Sequence, residues 1–336
     1  MRLTDEQLKA LAEAIGFDWN HVRANRIFCP HFTERTVDLV LSKTQLAHYT
    51  TTENALKILE GRTVWLRNVR CMNDYSEVQW GNRLVASFFF ERKDADPFWK
   101  TLEGIVPGIR QRTTELYRDW VWDFVSNTYV FCVSEHKPSD DMGRLSMWRA
   151  YASNNGCALI FDSAPFYQPT DALGSYTYPV CYRSPDTAFK MFQSIVESVC
   201  ENEAFLKTLP PDDLQNYVFT MLEYHAICVK HPAFAEELEW RVVHRPFRFP
   251  NDRMQPTIRP IRGLVQRIYQ LPLKNIPDEN LKGIEPHEIV RKILLGPAVN
   301  SAVAHDAAIQ KLRDLGFSNP EAIVIDTRIP LRTEPA

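Results

Sequence analysis

The stretch FAEELEWRVVHR, residues 234–245, sets an acidic pair at the head of an apolar run. Leu238, Trp240, Val242 and Val243 give roughly alternating apolar positions, which predicts a half-covered strand. If that strand begins by Glu237, then Glu237 and Glu239 share one face with Arg241. Two carboxylates and a guanidinium converging on one sheet face need either each other or a ligand. The plain reading is an ion-pair ladder. The functional reading is a site.

Working outward, two helices are predicted upstream, over 186–207 and 211–230, split by Pro210 and Pro211. Downstream, Arg241, Arg245, Arg248, Arg253, Arg259, Arg262 and Arg267 follow with Asp252 as the one acid among them. Prolines 246, 250, 256 and 260 predict loops and edge strands there. This ribbon reads either as solvated surface or as a phosphate-facing one. Earlier, strands are predicted at 45–49, in TVWLRN, at 128–134, at 157–162 and at 176–183. Thr4 and Gln7 form a capping-box signature for a helix over 5–15, whereas 18–42 shows no clear pattern. Toward the end, 291–296 and 322–326 read as strands around a helix at 301–315. Strands and helices mix without a βαβ cadence. The expectation is therefore an α+β fold with a mostly antiparallel, bent or two-sheet core and peripheral helices. A helical N-terminal extension over 1–44 precedes a single domain over 45–330, which carries a helical insertion at about 185–230.

Composition narrows the function classes. Hydrophobic residues make up 45% of the 336 and charged residues 24%, the mix of a globular protein, and a formal charge of -3 excludes a general polyanion binder. Seven cysteines without a C-x-x-C pair read as reduced thiols, so the expected location is cytoplasmic. Cys29 with His31 lacks a matching pair elsewhere and makes a poor metal site. No G-x-G-x-x-G, Walker A, G-x-S-x-G or H-E-x-x-H occurs, so the common dinucleotide, P-loop, hydrolase and zinc-protease signatures are missing. Any catalysis must come from dispersed residues.

Several landmarks together carry a resemblance. They are LAHYTTTENALKILEGRTVWL with CMNDYSE, FCVSE with LSMWRAYASNNGCALIFD, then YPVCYR, ELEWRVV and KILLGPAV. In this order they resemble the bacterial domain-of-unknown-function family 2971, over about residues 46–328. Val133 stands where that pattern usually has an aromatic, and Ala233-Phe234 where it usually has Trp. A more distant likeness is to ADP-ribosyltransferases: a His on the first strand, a helix ending in Gly, a strand ending in Ser, and a late Glu-x-Glu. Those enzymes bind NAD in a cleft between two packed sheets. The likeness implies Glu239 in the catalytic position, Glu237 orienting the acceptor, and His48 and Thr50 on a ribose. It also implies Ser134 at the end of the central strand, although the usual Ser-Thr-Ser is reduced to Ser134-Glu135. Tyr49 or Tyr151 would be the stacking tyrosine. On chemistry alone, Trp148 or Tyr151 suits the nicotinamide ring, and Arg241 or another arginine of the ribbon suits the pyrophosphate. Asn73 reads as a helix cap or as a further cofactor contact.

The implied reaction breaks the nicotinamide–ribose bond of NAD through an oxocarbenium-like sugar, which a nearby carboxylate stabilises. The ADP-ribose would pass to a protein, nucleic-acid or other acceptor, or to water. Each residue also has a structural reading: His48 as a core histidine, Trp148 and Tyr151 as packing, Ser134 as a loop start. Two rivals stand beside the transferase. One is a metal-dependent nuclease or phosphoesterase using Asp74, Glu77, Glu237 and Glu239. The other is a non-catalytic ligand-sensing or interaction module, and for the enzyme and the module alike the expected setting is bacterial anti-phage defence.

Overall fold

A computed structural model of the chain describes residues 3–71, 75–152, 155–261, 263–297 and 301–329. Three helices open it: α1 (Asp5–Ala14), α2 (Trp19–Phe28) and α3 (Pro30–Ser42). The expected capping box at Thr4 and Gln7 is formed. The segment without a clear pattern is helical because Asp18 caps α2 and Pro30 occupies the first turn of α3. Next come β1 (Gln45–Thr51), α4 (Thr52–Gly61) and β2 (Thr63–Asn68), followed by α5 (Tyr75–Ala86), α6 (Asp96–Ile105) and α7 (Ile109–Asn127). Then β3 (Tyr129–His136), α8 (Leu145–Tyr151), β4 (Gly156–Phe161), β5 (Ser175–Pro179) and β6 (Cys181–Tyr182) lead to a second helical block. That block is α9 (Pro185–Glu201), α10 (Glu203–Leu206) and α11 (Pro211–Cys228). The chain continues through β7 (Val229–Lys230), β8 (Glu239–His244), β9 (Gln255–Ile261) and β10 (Leu264–Pro272). It ends with α12 (Pro286–Ile289), β11 (Val290–Leu295), α13 (Ser301–Asp314), α14 (Pro320–Ile323) and β12 (Val324–Asp326).

The architecture is α+β. Ten strands form one sheet, in the order β12-β11-β4-β1-β3-β2-β10-β9, with β8 and then β5 branching from β3; β6 and β7 make a separate small pair. Within the large sheet β11–β12 is parallel and the other pairings are antiparallel. The branch is what positions the site. On one side of β3, β8 runs the whole way from Tyr129 to Ser134. On the other side two strands share it: β1 pairs with its last residues, 134–136, and β2 with its first, 129–130. Phe131, Cys132 and Val133 lie in the fork between them. Past the fork β1 turns to β4 and β2 to β10, and α4 joins their far ends.

Two cores lie on opposite sides of β3 and β8. One includes Val130 and Val243 and is filled by aromatic and aliphatic side chains of α2, α5, α6, α7, α9 and α11. The other takes Tyr129, Phe131, Val133, Trp240 and Val242 against β10, β11, α4 and α13. A smaller cluster packs α8 on β1 and β4, with Tyr49 edge-on to Trp148 at 4.9 Å. Among the described residues no helix is long and apolar enough to cross a membrane, and the seven cysteines are free thiols.

One expectation is corrected here. The acidic strand begins at Glu239, not by Glu237. Residues 232–237 form a 3-10 turn, and Leu238 takes a left-handed φ of 44°. The chain must reverse twist at Leu238 to enter the sheet, so Glu237 precedes the strand.

Candidate functional site

The fork opens into a cavity of about 270 Å³. Its walls come from β1 (His48, Tyr49, Thr50), α4 (Asn54, Lys57), β2 (Trp65, Arg67), the bare stretch of β3, and Tyr151, Lys230, Glu237, Glu239 and Arg241. Residues far apart in sequence thus meet here. Ser134 also lines the cavity, directly opposite Glu239 across the β3–β8 ladder.

The acidic pair sits in a charged network. Arg241 holds Glu239 bidentately, Nε to Oε1 at 2.8 Å and Nη2 to Oε2 at 3.1 Å, while its Nη1 donates to the Ile227 carbonyl at 2.6 Å. Lys230 Nζ donates to Glu237 Oε2 at 2.6 Å and approaches Glu239 Oε2 at 3.4 Å. The Tyr151 hydroxyl donates to Glu237 Oε1 at 3.1 Å, and the Tyr182 hydroxyl accepts the Glu239 backbone N–H at 2.8 Å. Glu239, Arg241 and Lys230 are only 6%, 4% and 3% exposed. Burial by itself would raise the Glu239 carboxyl, but Arg241 and Lys230 outweigh it and bring the pKa down to about 2. Burial, then the Glu237 charge, raises the Tyr151 phenol, so it stays a proton donor. Glu237, in its turn, keeps more access to the cavity: its side chain is 16% exposed against 7% for Glu239.

His48 stands in the fork itself. Its Nδ1 lies 2.9 Å from the Cys132 carbonyl, one of the β3 groups that neither β1 nor β2 reaches. A carbonyl only accepts, so Nδ1 carries the proton and Nε2 keeps a lone pair. Burial lowers the pKa to about 4, more than the Cys132 bond raises it. The imidazole is therefore a fixed neutral acceptor at physiological pH. Its ring also packs on Phe131, with centroids 4.4 Å apart.

Other expected residues fall differently. Trp148 is core: it is 1% exposed, and its Nε1 donates to the Met142 carbonyl at 2.8 Å. The Tyr49 hydroxyl accepts the Arg144 N–H at 2.9 Å, so its tip is already engaged. Tyr151 is thus the better placed of the two stacking candidates. Trp65 across the cavity is an aromatic missed at sequence level, although the alternation in TVWLRN sets Thr63, Trp65 and Arg67 opposite the buried Val64 and Leu66. Lys230 and Tyr182 were missed as well. Glu135 leaves the site; it accepts from Trp240 Nε1 at 2.8 Å and pairs with Arg35 of α3. Arg241 spends its guanidinium on Glu239 and a carbonyl, so its assignment to a pyrophosphate is unsupported. The arginine ribbon is not simply a solvated surface either: Arg245 and Arg248 converge on the buried Glu223, and Arg253 pairs with Glu279.

Asn73 and Asp74, and the Glu77 side chain, lie outside the described residues. Among the described residues no three His, Cys, Asp or Glu side chains are grouped to hold a metal ion. Cys29 is buried, and burial pushes its thiol well up, so it is spent on packing.

Residues 147–242 match the family model described as "Protein of unknown function (DUF2971)". The DUF2971 segment contains Tyr151, Tyr182, Lys230, Glu237, Glu239 and Arg241, so the whole charged network falls inside it. His48, β2 and the fork side of the cavity lie before it. No curated protein and no solved structure matches the chain.

Proposed function

We propose that the fork cavity receives the nicotinamide-ribose end of NAD and that the protein is an ADP-ribosyltransferase-like enzyme. One observation carries the reading: His48 and the Glu237–Glu239 pair, about 190 residues apart in the chain, line a single cavity where β3 is paired by β8 alone. A volume of about 270 Å³ suits one end of a dinucleotide rather than all of it. The adenosine half would extend beyond the fork.

In the reaction the bond between nicotinamide nitrogen and ribose C1′ breaks, and its electron pair leaves with nicotinamide. The sugar becomes cation-like until the acceptor, or water, attacks C1′ and gives up a proton. Glu239 is held in one orientation by Arg241 and Lys230, and a ribose hydroxyl would take the place of the longest of these contacts, Lys230 Nζ to Oε2 at 3.4 Å. That preorganisation has a cost, since the two cations dilute the charge the sugar would feel. Glu237 is the freer carboxylate and suits the acceptor. The Nε2 of His48 accepts from a second ribose hydroxyl, and Tyr151 with Trp65 flanks the ring. The metal-dependent alternative fares less well, because Lys230 and Arg241 already occupy the carboxylate oxygens a hard cation would need.

The test is nicotinamide release from NAD by the purified protein, beside Glu239→Gln, Glu237→Gln and His48→Ala, each checked for folding by its melting curve. Turnover in the wild type with a loss of about 100-fold in Glu239→Gln is expected, the scale of one preorganised electrostatic contact. Absence of NAD binding, or equal turnover in all four proteins, ends the reading. Hydrolysis appearing only with magnesium or manganese transfers it to the phosphoesterase class.

A further inference from the structure

A second cavity, of about 920 Å³, lies mainly behind the first. Phe131 borders both, whereas Trp240 and Val242 face the second and Glu239 and Arg241 the first. It runs from an aliphatic wall, including Leu271, Leu273, Ile284 and Ile289, round β5 to a polar end at Arg245, Arg248, Tyr176 and Thr220. Its volume falls within the range of small-molecule sites.

The polar end carries an imbalance of charge. Arg245 and Arg248 both reach Glu223 Oε2, Arg248 at 2.5 Å, and Arg248 Nη2 donates to the Thr220 hydroxyl at 3.1 Å. Two guanidiniums therefore share one carboxylate, with Arg245 5% and Glu223 1% exposed. Among the described residues, Glu223 Oε1 and Arg245 Nε are buried without a hydrogen-bond partner. Burial and then the neighbouring Arg245 cation work against the Arg248 charge, while Glu223 supports it, and the net result is a lowered pKa. The carboxylates on the cavity wall, Asp18, Asp171 and Asp213, are exposed. Asp18 is engaged in capping α2, and Asp171 accepts from the Tyr176 hydroxyl at 2.8 Å. Exposed charges are strongly screened, so the surplus cation of this cluster, with Arg245 and Glu223 buried and Arg248 partly so, dominates inside. His21, also on the wall, is kept neutral by burial more than Asp18 and Asp171 oppose it.

We propose that this cavity binds an organic acid with a carbon-rich body, its carboxylate on Arg248 and Arg245 and its body along the aliphatic wall. The ligand supplies the negative charge that the Arg245–Glu223–Arg248 cluster lacks.

The test is calorimetric titration of the full chain with three probes: dodecanoate, 1-naphthoate and dodecanol. Saturable one-to-one binding of an acid is expected, with dodecanol at least about tenfold weaker, the scale of losing one charge-assisted hydrogen bond. Whether dodecanoate or 1-naphthoate binds more tightly tells an acyl body from an aromatic one. Arg248→Gln should weaken the acid about tenfold and leave dodecanol unchanged. Leu173→Trp, which puts a larger side chain into the cavity wall, should weaken all three, and Glu237→Gln in the first cavity should change none. Equal affinity for acid and alcohol, no saturable binding of either acid, or indifference to both Arg248→Gln and Leu173→Trp would overturn the proposal.

Discussion

At the scale of single residues, the two carboxylates of the acidic motif do different work, and unfolding measurements should separate them. Glu239→Gln leaves the Arg241 guanidinium buried with half its partner gone, so a loss of about 3 kcal/mol is expected in urea unfolding. Glu237→Gln should cost about 1 kcal/mol, because Lys230 retains Glu239 nearby and the position is partly wet. The pH dependence has a definite sign. Glu239 is depressed from its ordinary range to about 2, so its contribution to stability is complete above about 4.5 and disappears as pH falls toward 2. His48 is depressed to about 4, so the unfolded chain takes up its proton first and stability also falls as pH drops from about 6.5 to 4. The His48→Ala protein should show less acid loss over that upper window, read as the difference in melting temperature between pH 7 and pH 5. The residue types of the site were legible in the sequence, since His48, Ser134, Tyr151, Glu237 and Glu239 all reach one cavity. Lys230 was not. It ends the HAICVK run after α11, and nothing local marks its ammonium as the bridge between two carboxylates seven and nine residues on.

At the scale of elements, local rules explain most boundaries. Capping at Thr4, Asp18, Thr51 and Ser184, and prolines 30, 185 and 211 in first turns, start the helices where they begin. The onset of β8 escaped such rules because Leu238 adopts a left-handed conformation that side chains disfavour by roughly 1–2 kcal/mol. Backbone hydrogen bonds hold it there, the Leu238 N–H to the Ala235 carbonyl at 3.3 Å and the Glu135 N–H to the Leu238 carbonyl at 3.0 Å, while its side chain is exposed. A close helix approach is similarly invisible in a linear reading: a Cβ on Gly81 of α5 would lie 2.4 Å from the Ala226 carbonyl oxygen of α11. Gly81→Ala must push these helices apart, and a loss of about 1–3 kcal/mol is expected in chemical denaturation. Because α11 runs directly into the strand bearing Lys230, the same substitution should weaken ligand binding in the fork without altering any residue that lines it.

At the scale of the whole molecule, the N-terminal helices belong to the core. Ala24, Ile27, Phe28 and Cys29 pack in the cluster with Val130, Val196 and Val243, and Leu39 joins the one on the opposite side. A fragment of residues 45–336 should therefore lose cooperative thermal unfolding and near-ultraviolet dichroism, despite retaining every strand of the sheet. The mostly antiparallel α+β class was readable from strand and helix cadence, but the branching of β3 was not, because pairing partners far apart in sequence leave no periodic trace. That branching has an outcome for how such a molecule can diversify. The floor of the fork is one ribbon, yet its two banks are moored to different neighbours, β4 on one side and β10 on the other, and spanned by α4. A longer or shorter span would widen or narrow the aperture while the groups rooted in β3 and β8 stay where they are, so the size of what enters and the chemistry done to it can drift independently.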